Sequence, residues 1–241
     1  MSNSALVSHI NLSPNCSKPR RAKIDTISIH CMAGNLTVES CGAMFAKAAT
    51  KASSNYGIGS DGRIALYVDE GNRSWCTSST SNDDRAITIE VANTVAAHPW
   101  PVSEAAYNSL INLLVDICQR NNIKKLLWQG DKNLVGQVAK QNMTAHRWFA
   151  NKACPGDYLY NRHSAIAAEV NKRLEDDDMT GKEIHDKLNE YYAAQPLPDW
   201  AKEPLAEAVE MGITDGTNPM QLIPRYQAAI MAKRAAENAS K

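Results

Sequence analysis

The chain has 241 residues and no net charge, and its 44% hydrophobic and 22% charged residues are typical of a globular protein with room for one α/β domain and a small second module. No segment approaches the roughly 18 apolar residues that a membrane span needs, and the first residues lack the basic and apolar regions of a secretory signal, so we expect no membrane partner and no encoded export. The basic residues are too sparse to imply a nucleic-acid partner, and six cysteines are too few to indicate a disulfide-stapled scaffold.

Period-two alternation of apolar residues predicts the strands of the first part of the chain. These strands are residues 24–29, 56–58, 63–68, 86–91 and 125–128. The first ends directly before His30, and an Asp-Gly pair between the second and the third indicates a hairpin. The fourth alternates so that Glu90 lies on the face opposite Ile87 and Ile89.

Helical spacing predicts the elements that cover these strands. A short helix contains Cys41 and Phe45, a long amphipathic helix begins after the N-cap Ser103, and a further helix covers residues 164–174. Residues 141–156 have no clear period and are predicted as a long loop. Because strands and helices alternate, we expect an α/β fold with a central sheet flanked by helices.

The C-terminal part of the chain differs in charge. Residues 1–174 carry 19 Lys and Arg against 13 Asp and Glu, a net charge of +6, whereas residues 175–241 carry 7 against 13, a net charge of −6. The acidic run 175–178 is predicted as a solvated linker. We therefore expect a main domain at residues 1–174, an acidic linker and helix at 175–198, and a small all-helical module at 199–241.

Helix signals recur in this C-terminal part. Thr180 and Glu183 form a capping box that begins a helix extending to about residue 193. Asp199 can cap the next helix, Gly212 ends it, and a last helix spans about residues 225–237.

Three candidates for soft or borderline metal ligands stand out: His30, His146 and Cys154. Zinc accepts imidazole nitrogen and thiolate, and a catalytic zinc site uses three protein ligands and leaves a fourth position for water. The spacing alone is weakly specific, because a single histidine or cysteine is more often a packed residue than a ligand.

The residues around these candidates carry a stronger signal. The chain reads HRWFANKACPGD from His146 to Asp157, the first strand ends in Ser-Ile-His30, and the fourth contains Ile-Thr-Ile-Glu90. Over about residues 5–172 these motifs resemble the zinc-dependent N-acetylmuramoyl-L-alanine amidases of the type-2 amidase and peptidoglycan-recognition-protein family, which includes phage endolysins. The resemblance implies a mixed central sheet flanked by helices, and Zn²⁺ bound by the two histidines and Cys154.

The same resemblance implies roles for three further residues. Glu90 matches the general base, and Lys152 matches the lysine that stabilises the oxyanion. Tyr56 falls where some relatives place a tyrosine near the zinc-bound water, so either Glu90 or Tyr56 could be the main proton acceptor, with Glu90 ranked first. The implied activity is hydrolysis of the peptidoglycan amide bond between N-acetylmuramic acid and L-alanine, by a phage or prophage endolysin that stays in the host cytoplasm until holin-dependent release.

Other residues near the motifs have weaker signals. Asn93 and Trp75 are candidates for lining the substrate groove. Cys31 is expected to point to the opposite strand face from the histidine before it, so we do not assign it as a ligand. A disulfide between Cys31 and Cys41 or Cys76 stays open. The remaining histidines are not predicted to be ligands: His9, His98, His163 and His185.

Residues 199–219 resemble one S-layer-homology unit, with a Trp-Ala start, a helix and a Gly-Ile-Thr-Asp-Gly loop. Such units commonly work in threes in wall-associated proteins, and this chain has one. The resemblance implies a wall polymer or a second copy of the chain as partner, with Trp200, Arg225 and Tyr226 as candidate contacts. The alternative is a helical appendage that packs on the main domain.

Two other interpretations of the whole chain stay open. One is a peptidoglycan-binding protein without activity on the same fold, and the other is a bacterial recycling amidase. Such binders typically lose the cysteine ligand, which is present here as Cys154, and a recycling enzyme would leave the C-terminal module hard to explain. Both points favour the endolysin hypothesis.

Overall fold

The chain divides into two units, Met1–Asp177 and Asp178–Lys241, in a computed structural model that describes residues 2–177, 180–223 and 225–239. All strands found in these ranges belong to the first unit, whereas the second unit is helical. Within the described ranges no helix has the length and apolarity needed to cross a bilayer.

A six-stranded mixed sheet forms the centre of the first unit. The strands of the unit are β1 (His9–Ile10), β2 (Cys16–Ser17), β3 (Thr26–Cys31), β4 (Tyr56–Ile58), β5 (Ile64–Leu66), β6 (Arg73–Ser74), β7 (Ala86–Val91) and β8 (Met143–Thr144). The sheet order is β1-β5-β4-β7-β3-β8, and β2 pairs with β6 in a separate antiparallel ribbon. The hairpin β4–β5 is antiparallel and the other pairs in the large sheet are parallel, which confirms the predicted mixed sheet.

Five helices accompany the sheet. They are α1 (Val38–Phe45), α2 (Thr80–Arg85), α3 (Glu104–Arg120), α4 (Gly156–Tyr160) and α5 (His163–Asp177). Ser103 caps α3 as predicted, because its hydroxyl accepts a hydrogen bond from Ala106 N at 3.0 Å. The apolar stripe of α3, which includes Leu110, Leu114 and Ile117, is fully buried in the main core.

The register of β3 against β7 positions the polar residues of the site. The two strands run parallel with Ile29 opposite Ile89 and His30 opposite Glu90. Side chains alternate between the faces of a strand, so the isoleucines enter the core on one face, and His30 and Glu90 share the other. Full burial of one such isoleucine stabilises the fold by about 1.5–3 kcal/mol, and a slip of one residue would reverse both faces.

Two strand predictions need correction. The first strand begins and ends two residues later than expected, so His30 lies inside β3 and not after it. Residues 125–128 form no strand, because side-chain amides take the place of a neighbouring strand: Leu126 N donates to Asn171 Oδ1 and Leu127 N donates to Asn142 Oδ1, both at 2.7 Å.

The predicted loop 141–156 and the predicted linker also differ from the structure. Met143 and Thr144 form β8 by pairing with β3, and His146–Trp148 form a 3₁₀ turn directly after it. Helix α5 continues through Asp177, three residues into the acidic run assigned to the linker. Asp178, the last residue of that run, lies outside the described residues.

The second unit contains α6 (Gly181–Ala193), α7 (Asp199–Glu210) and α8 (Arg225–Asn238). The predicted capping box is present, since Thr180 Oγ1 accepts from Glu183 N and the Glu183 side chain accepts from Thr180 N. Asp199 does not cap α7: Pro198 takes the N-cap position, and Asp199 is the first helical residue. No described residue of this unit is buried.

Candidate metal centre

Strand β3 and the chain after β8 bring His30, His146 and Cys154 together. Cys154 Sγ lies 3.3 Å from His30 Nδ1, and the centroids of the two imidazole rings are 5.2 Å apart. The candidate ligand atoms of the three residues all lie within 4.8 Å of one another. Two imidazoles and one thiol form a donor set that zinc takes in catalytic sites.

The loop between His146 and Cys154 is closed by its own hydrogen bonds. Arg147 N donates to Cys154 O at 3.1 Å, and the Arg147 guanidinium donates to Ala153 O at 2.5 Å and to Asp157 Oδ1 at 3.0 Å. These bonds hold the two ends of the loop side by side. The two candidate ligands on the loop therefore face His30 in the folded chain.

Burial sets the protonation of the two histidines. The pKa of His30 lies well below its usual value, because the ring is fully buried and because His146 opposes a second positive charge. Burial, followed by the charge of Lys152, also lowers the pKa of His146. Both rings are therefore neutral at neutral pH, which is the form that binds metals. Ser28 Oγ lies 3.1 Å from His30 Nε2 and fixes the orientation of that ring.

The Cys154 thiol has a neighbour that the sequence did not assign to the site. A hydrogen bond with the Cys31 thiol, together with burial, raises the pKa of Cys154 well above its usual value. Cys31 belongs to the core, in agreement with the expected strand face, but it lies at the end of β3 where Cys154 packs against that core. All six cysteines are free, so neither of the disulfides left open is formed.

Glu90 is a half-buried residue on the same sheet face as His30. Its Oε1 accepts a hydrogen bond from the Cys76 thiol at 3.9 Å, and its Oε2 is buried without a hydrogen-bond partner among the described residues. Burial, and next the charge of Cys31, raise the pKa of Glu90 well above its usual value. A raised pKa makes the carboxylate form a stronger base, which suits a group that transfers protons.

A cleft of about 540 Å³ opens beside His146. Its lining includes Arg73, Trp75, Cys76, Asp83, His146 and Lys152. Lys152 is thus brought to the same cleft as the histidine, as is Trp75. Asn93 is not part of this lining: it is buried, and its side chain donates to Trp100 O at 2.8 Å.

Tyr56 is not brought to the site. It pairs with Ile89 of β7 and so points into the core, away from Glu90. Its hydroxyl donates to Glu70 Oε1 at 2.6 Å and accepts from Ser4 N at 2.9 Å, and burial raises its pKa. The expectation that Tyr56 is a proton acceptor beside the metal is therefore corrected: its role is structural.

Replacing Tyr56 tests this correction. Tyr56→Phe is expected to lower the free energy of unfolding by about 1.5–3 kcal/mol, because the hydrogen bond to the Glu70 carboxylate is lost, and to leave the turnover of the folded protein unchanged. Urea unfolding and an activity assay measure the two effects. Tyr191→Phe, at a tyrosine that is 60% exposed, is the matched control and should change neither. If Tyr56→Phe lost turnover without losing stability, Tyr56 would have a role in the reaction.

His163 is buried under the ligand loop among aromatic rings. Its ring centroid lies 4.3 Å from that of Trp128, which stacks on Trp148 at 5.0 Å. His163 Nδ1 lies 2.8 Å from Leu159 O, and burial lowers the pKa of the ring to about 4. It is not among the candidate ligands found in the described residues.

The low pKa of His163 makes stability depend on pH. In the unfolded chain the histidine has a pKa near 6.5, so between about pH 6.5 and pH 4 it binds a proton more readily in the unfolded than in the folded state. The free energy of unfolding therefore falls by about 1.4 kcal/mol for each pH unit as the pH is lowered through this range. Above pH 6.5 this contribution is fully present. His163→Gln is expected to reduce this slope in urea titrations between pH 4 and 7, while His30 maintains part of it. His185→Gln, at an exposed histidine, should leave the slope as it is. An unchanged slope in the His163 variant would contradict the assignment.

The sequence analysis did not assign Cys76 or Asp83 to the site. Cys76 follows β6 in a segment without period, and nothing in its spacing connects it to the ligand motifs. Asp83 on α2 positions Cys76 at the site, because its carboxylate accepts hydrogen bonds from the backbone N–H groups of residues 76 and 77.

Comparison with known proteins identifies the family and supports the fold. The family of N-acetylmuramoyl-L-alanine amidases matches residues 20–157, which are more than half of the chain and include β3, β7 and the ligand loop. The chain therefore belongs to the N-acetylmuramoyl-L-alanine amidase family. No curated protein sequence matches the chain significantly.

Three solved structures show the same fold. A mutant of PlyL is 12% identical with a TM-score of 0.50 and covers 67% of this chain and 96% of its own. A mutant endolysin from Bacillus subtilis is 16% identical with a TM-score of 0.50 and covers 67% and 97%. A selenomethionine derivative of AmpD is 20% identical with a TM-score of 0.50 and covers 68% and 96%. At these identities the similarity concerns the fold.

Proposed function

We propose that this chain is a zinc-dependent hydrolase that cleaves the peptidoglycan amide bond between N-acetylmuramic acid and L-alanine. The observation that carries the proposal is the convergence of His30, His146 and Cys154 beside the buried carboxyl of Glu90. Membership of the amidase family supports the choice of bond.

The donor set fits zinc in number and in chemistry. Two neutral imidazoles and one thiol are three ligands, which leaves a position for water or substrate, and the cleft beside His146 gives access to it. When bound, zinc supplies Lewis-acid polarisation of the amide carbonyl and makes water more acidic. Uptake of the ion must displace the proton of Cys154, because the thiolate is the ligand form.

In this proposal, residues of the chain transfer the proton, stabilise the developing negative charge and orient the ligand ring. In its carboxylate form Glu90 takes the proton of the attacking water and then returns it to the leaving amine, and the raised pKa makes this carboxylate a stronger base. The Lys152 ammonium offsets the negative charge that develops on the carbonyl oxygen, and a donor of this kind is worth about 2.7–4 kcal/mol in other hydrolases. Ser28 keeps the His30 ring in its binding orientation.

The biological role that we propose is that of a phage or prophage endolysin. In this proposal the main domain, residues 1–174, hydrolyses the wall, and the module at residues 199–241 binds a wall polymer or a second copy of the chain. The exposed aromatic side chains of Trp200 (79%) and Tyr226 (63%) support a contact role for the module.

Digestion of purified cell walls tests the proposal. The protein should release new L-alanine amino termini without new sugar reducing ends, a chelator should abolish the release, and one equivalent of Zn²⁺ should restore it. Release of amino termini in the presence of the chelator would contradict the assignment as a zinc-dependent amidase. New reducing ends without new amino termini would also contradict it. Binding to walls with no release at all would favour a peptidoglycan-binding protein without activity.

A further inference from the structure

A second set of metal donors overlaps the first. The candidate ligand atoms of His30, Cys76 and Glu90 also lie within 4.8 Å of one another. His30 is common to this set and to the set with His146 and Cys154. Five donor side chains are thus grouped in two ways around a single imidazole, and two of them, Cys76 and His146, line the cleft.

The thiol of Cys76 is held in place by the fold. Asp83 is only 2% exposed, and its carboxylate accepts from Cys76 N at 3.1 Å, from Thr77 N at 3.1 Å and from Thr77 Oγ1 at 2.6 Å. These bonds fix the backbone that carries Cys76 and turn its thiol towards Glu90. A donor held in this way needs little rearrangement to bind an ion.

Glu90 supplies the second reason to expect a cation. Its buried Oε2 has no hydrogen-bond partner among the described residues, and an unsatisfied buried polar atom costs about 1–3 kcal/mol. A divalent cation bound through Oε2 of this carboxylate would satisfy the oxygen. Thiol, imidazole and carboxylate together match zinc and other thiophilic divalent ions, and do not match Mg²⁺ or Ca²⁺.

We propose that His30, Cys76 and Glu90 form an alternative seat for a thiophilic divalent cation. Because His30 belongs to both sets, one ion occupies one seat or the other. An ion in the alternative seat binds the carboxyl that the proposed function uses for proton transfer, so the protein then holds metal without turnover. This consequence rests on the proposed function, whereas binding at the alternative seat does not.

Cobalt in a Cys154→Ser variant tests the seat directly, because a cobalt ion absorbs strongly when a thiolate binds it. We expect Cys154→Ser to bind one Co²⁺ and to show a thiolate-to-cobalt band with an absorbance per ion similar to that of the wild type, since each seat contains one thiolate. In Cys76→Ser/Cys154→Ser this band should be lost. Circular dichroism spectra establish that each variant is folded.

Cys31 provides the matched control, because its thiol also lies beside residue 154. The band should persist in Cys31→Ser/Cys154→Ser. Three results would contradict the proposed seat: loss of the band in this variant, persistence of the band in Cys76→Ser/Cys154→Ser, and absence of the band from Cys154→Ser alone.

Alkylation of the Cys154→Ser variant gives a second measurement, because the preferred set of ligands is incomplete there. In this variant an excess of Cd²⁺ should slow the labelling of Cys76 by iodoacetamide at least several-fold relative to the metal-free protein, and should leave Cys16 unaffected. Equal rates with and without Cd²⁺ would overturn the seat. If the seat fails, release of L-alanine termini by the wild type is unaffected; if the amidase assignment fails, the cobalt band of the variant remains.

Discussion

Glu90→Gln is expected to retain zinc and to lose turnover by about 10²–10⁴-fold. The amide has nearly the size of the carboxyl and leaves the packing around β7 intact, but it cannot accept a proton from water. The ligand set with His146 and Cys154 does not include this residue, so the metal content should stay at one ion per chain. Elemental analysis of the purified variant and the rate of release of L-alanine termini measure the two quantities.

The matched control for this variant is Glu104→Gln, in the exposed first turn of α3. It makes the same change in chemistry at an exposed position outside both candidate donor sets and should alter neither quantity. If the Glu90 variant kept most of the turnover, a group other than Glu90 would have to transfer the proton. Tyr56 could not take over that role without a rearrangement, because its hydroxyl is committed to Glu70 in the core.

Cys154→Ser is expected to weaken zinc binding by more than about 100-fold and to abolish release of L-alanine termini. Loss of a residue that merely orients a ligand typically costs 10–100-fold in affinity, so loss of a ligand itself should cost more. Competition against a chromophoric chelator measures the affinity. The weak binding that remains is expected to use Cys76.

Cys16→Ser controls for the general effect of replacing a cysteine, since Cys16 lies on the β2–β6 ribbon and outside both candidate donor sets. It should bind zinc as the wild type does. A Cys154 variant with unchanged zinc affinity would remove this residue from the ligand set and leave the two histidines without a thiolate partner.

Much of the site could be predicted from the sequence because its central pieces lie on regular strands. The alternation in residues 86–91 places Glu90 opposite the core isoleucines, and the parallel register then brings it level with His30. The ligand loop has no period, so its contribution came from the resemblance of its residues to a family and not from its spacing. The geometry of His146 and Cys154 depends on the hydrogen bonds of Arg147, which no local pattern shows.

The incorrect and missing assignments share a physical cause. A strand pattern gives two faces but does not say which neighbour each face meets, so the core position of Tyr56 follows only from its pairing with Ile89. Cys76 reaches the cleft through the tertiary contact of Asp83, which lies seven residues further along the chain. Residues 125–128 resemble a strand in composition, but the side chains of Asn142 and Asn171 satisfy their backbone instead.

The absence of buried residues from the described part of the second unit has a calorimetric consequence. Ordering a residue costs about 1–2 kcal/mol of conformational entropy, and helices without a buried face recover little of it. The heat absorbed in a cooperative melting transition, about 0.7 kcal/mol per ordered residue, should therefore correspond to the 177 residues of Met1–Asp177 and not to all 241. The melting temperature of the whole chain then reports the unfolding of the first unit, which contains the sheet and the candidate site.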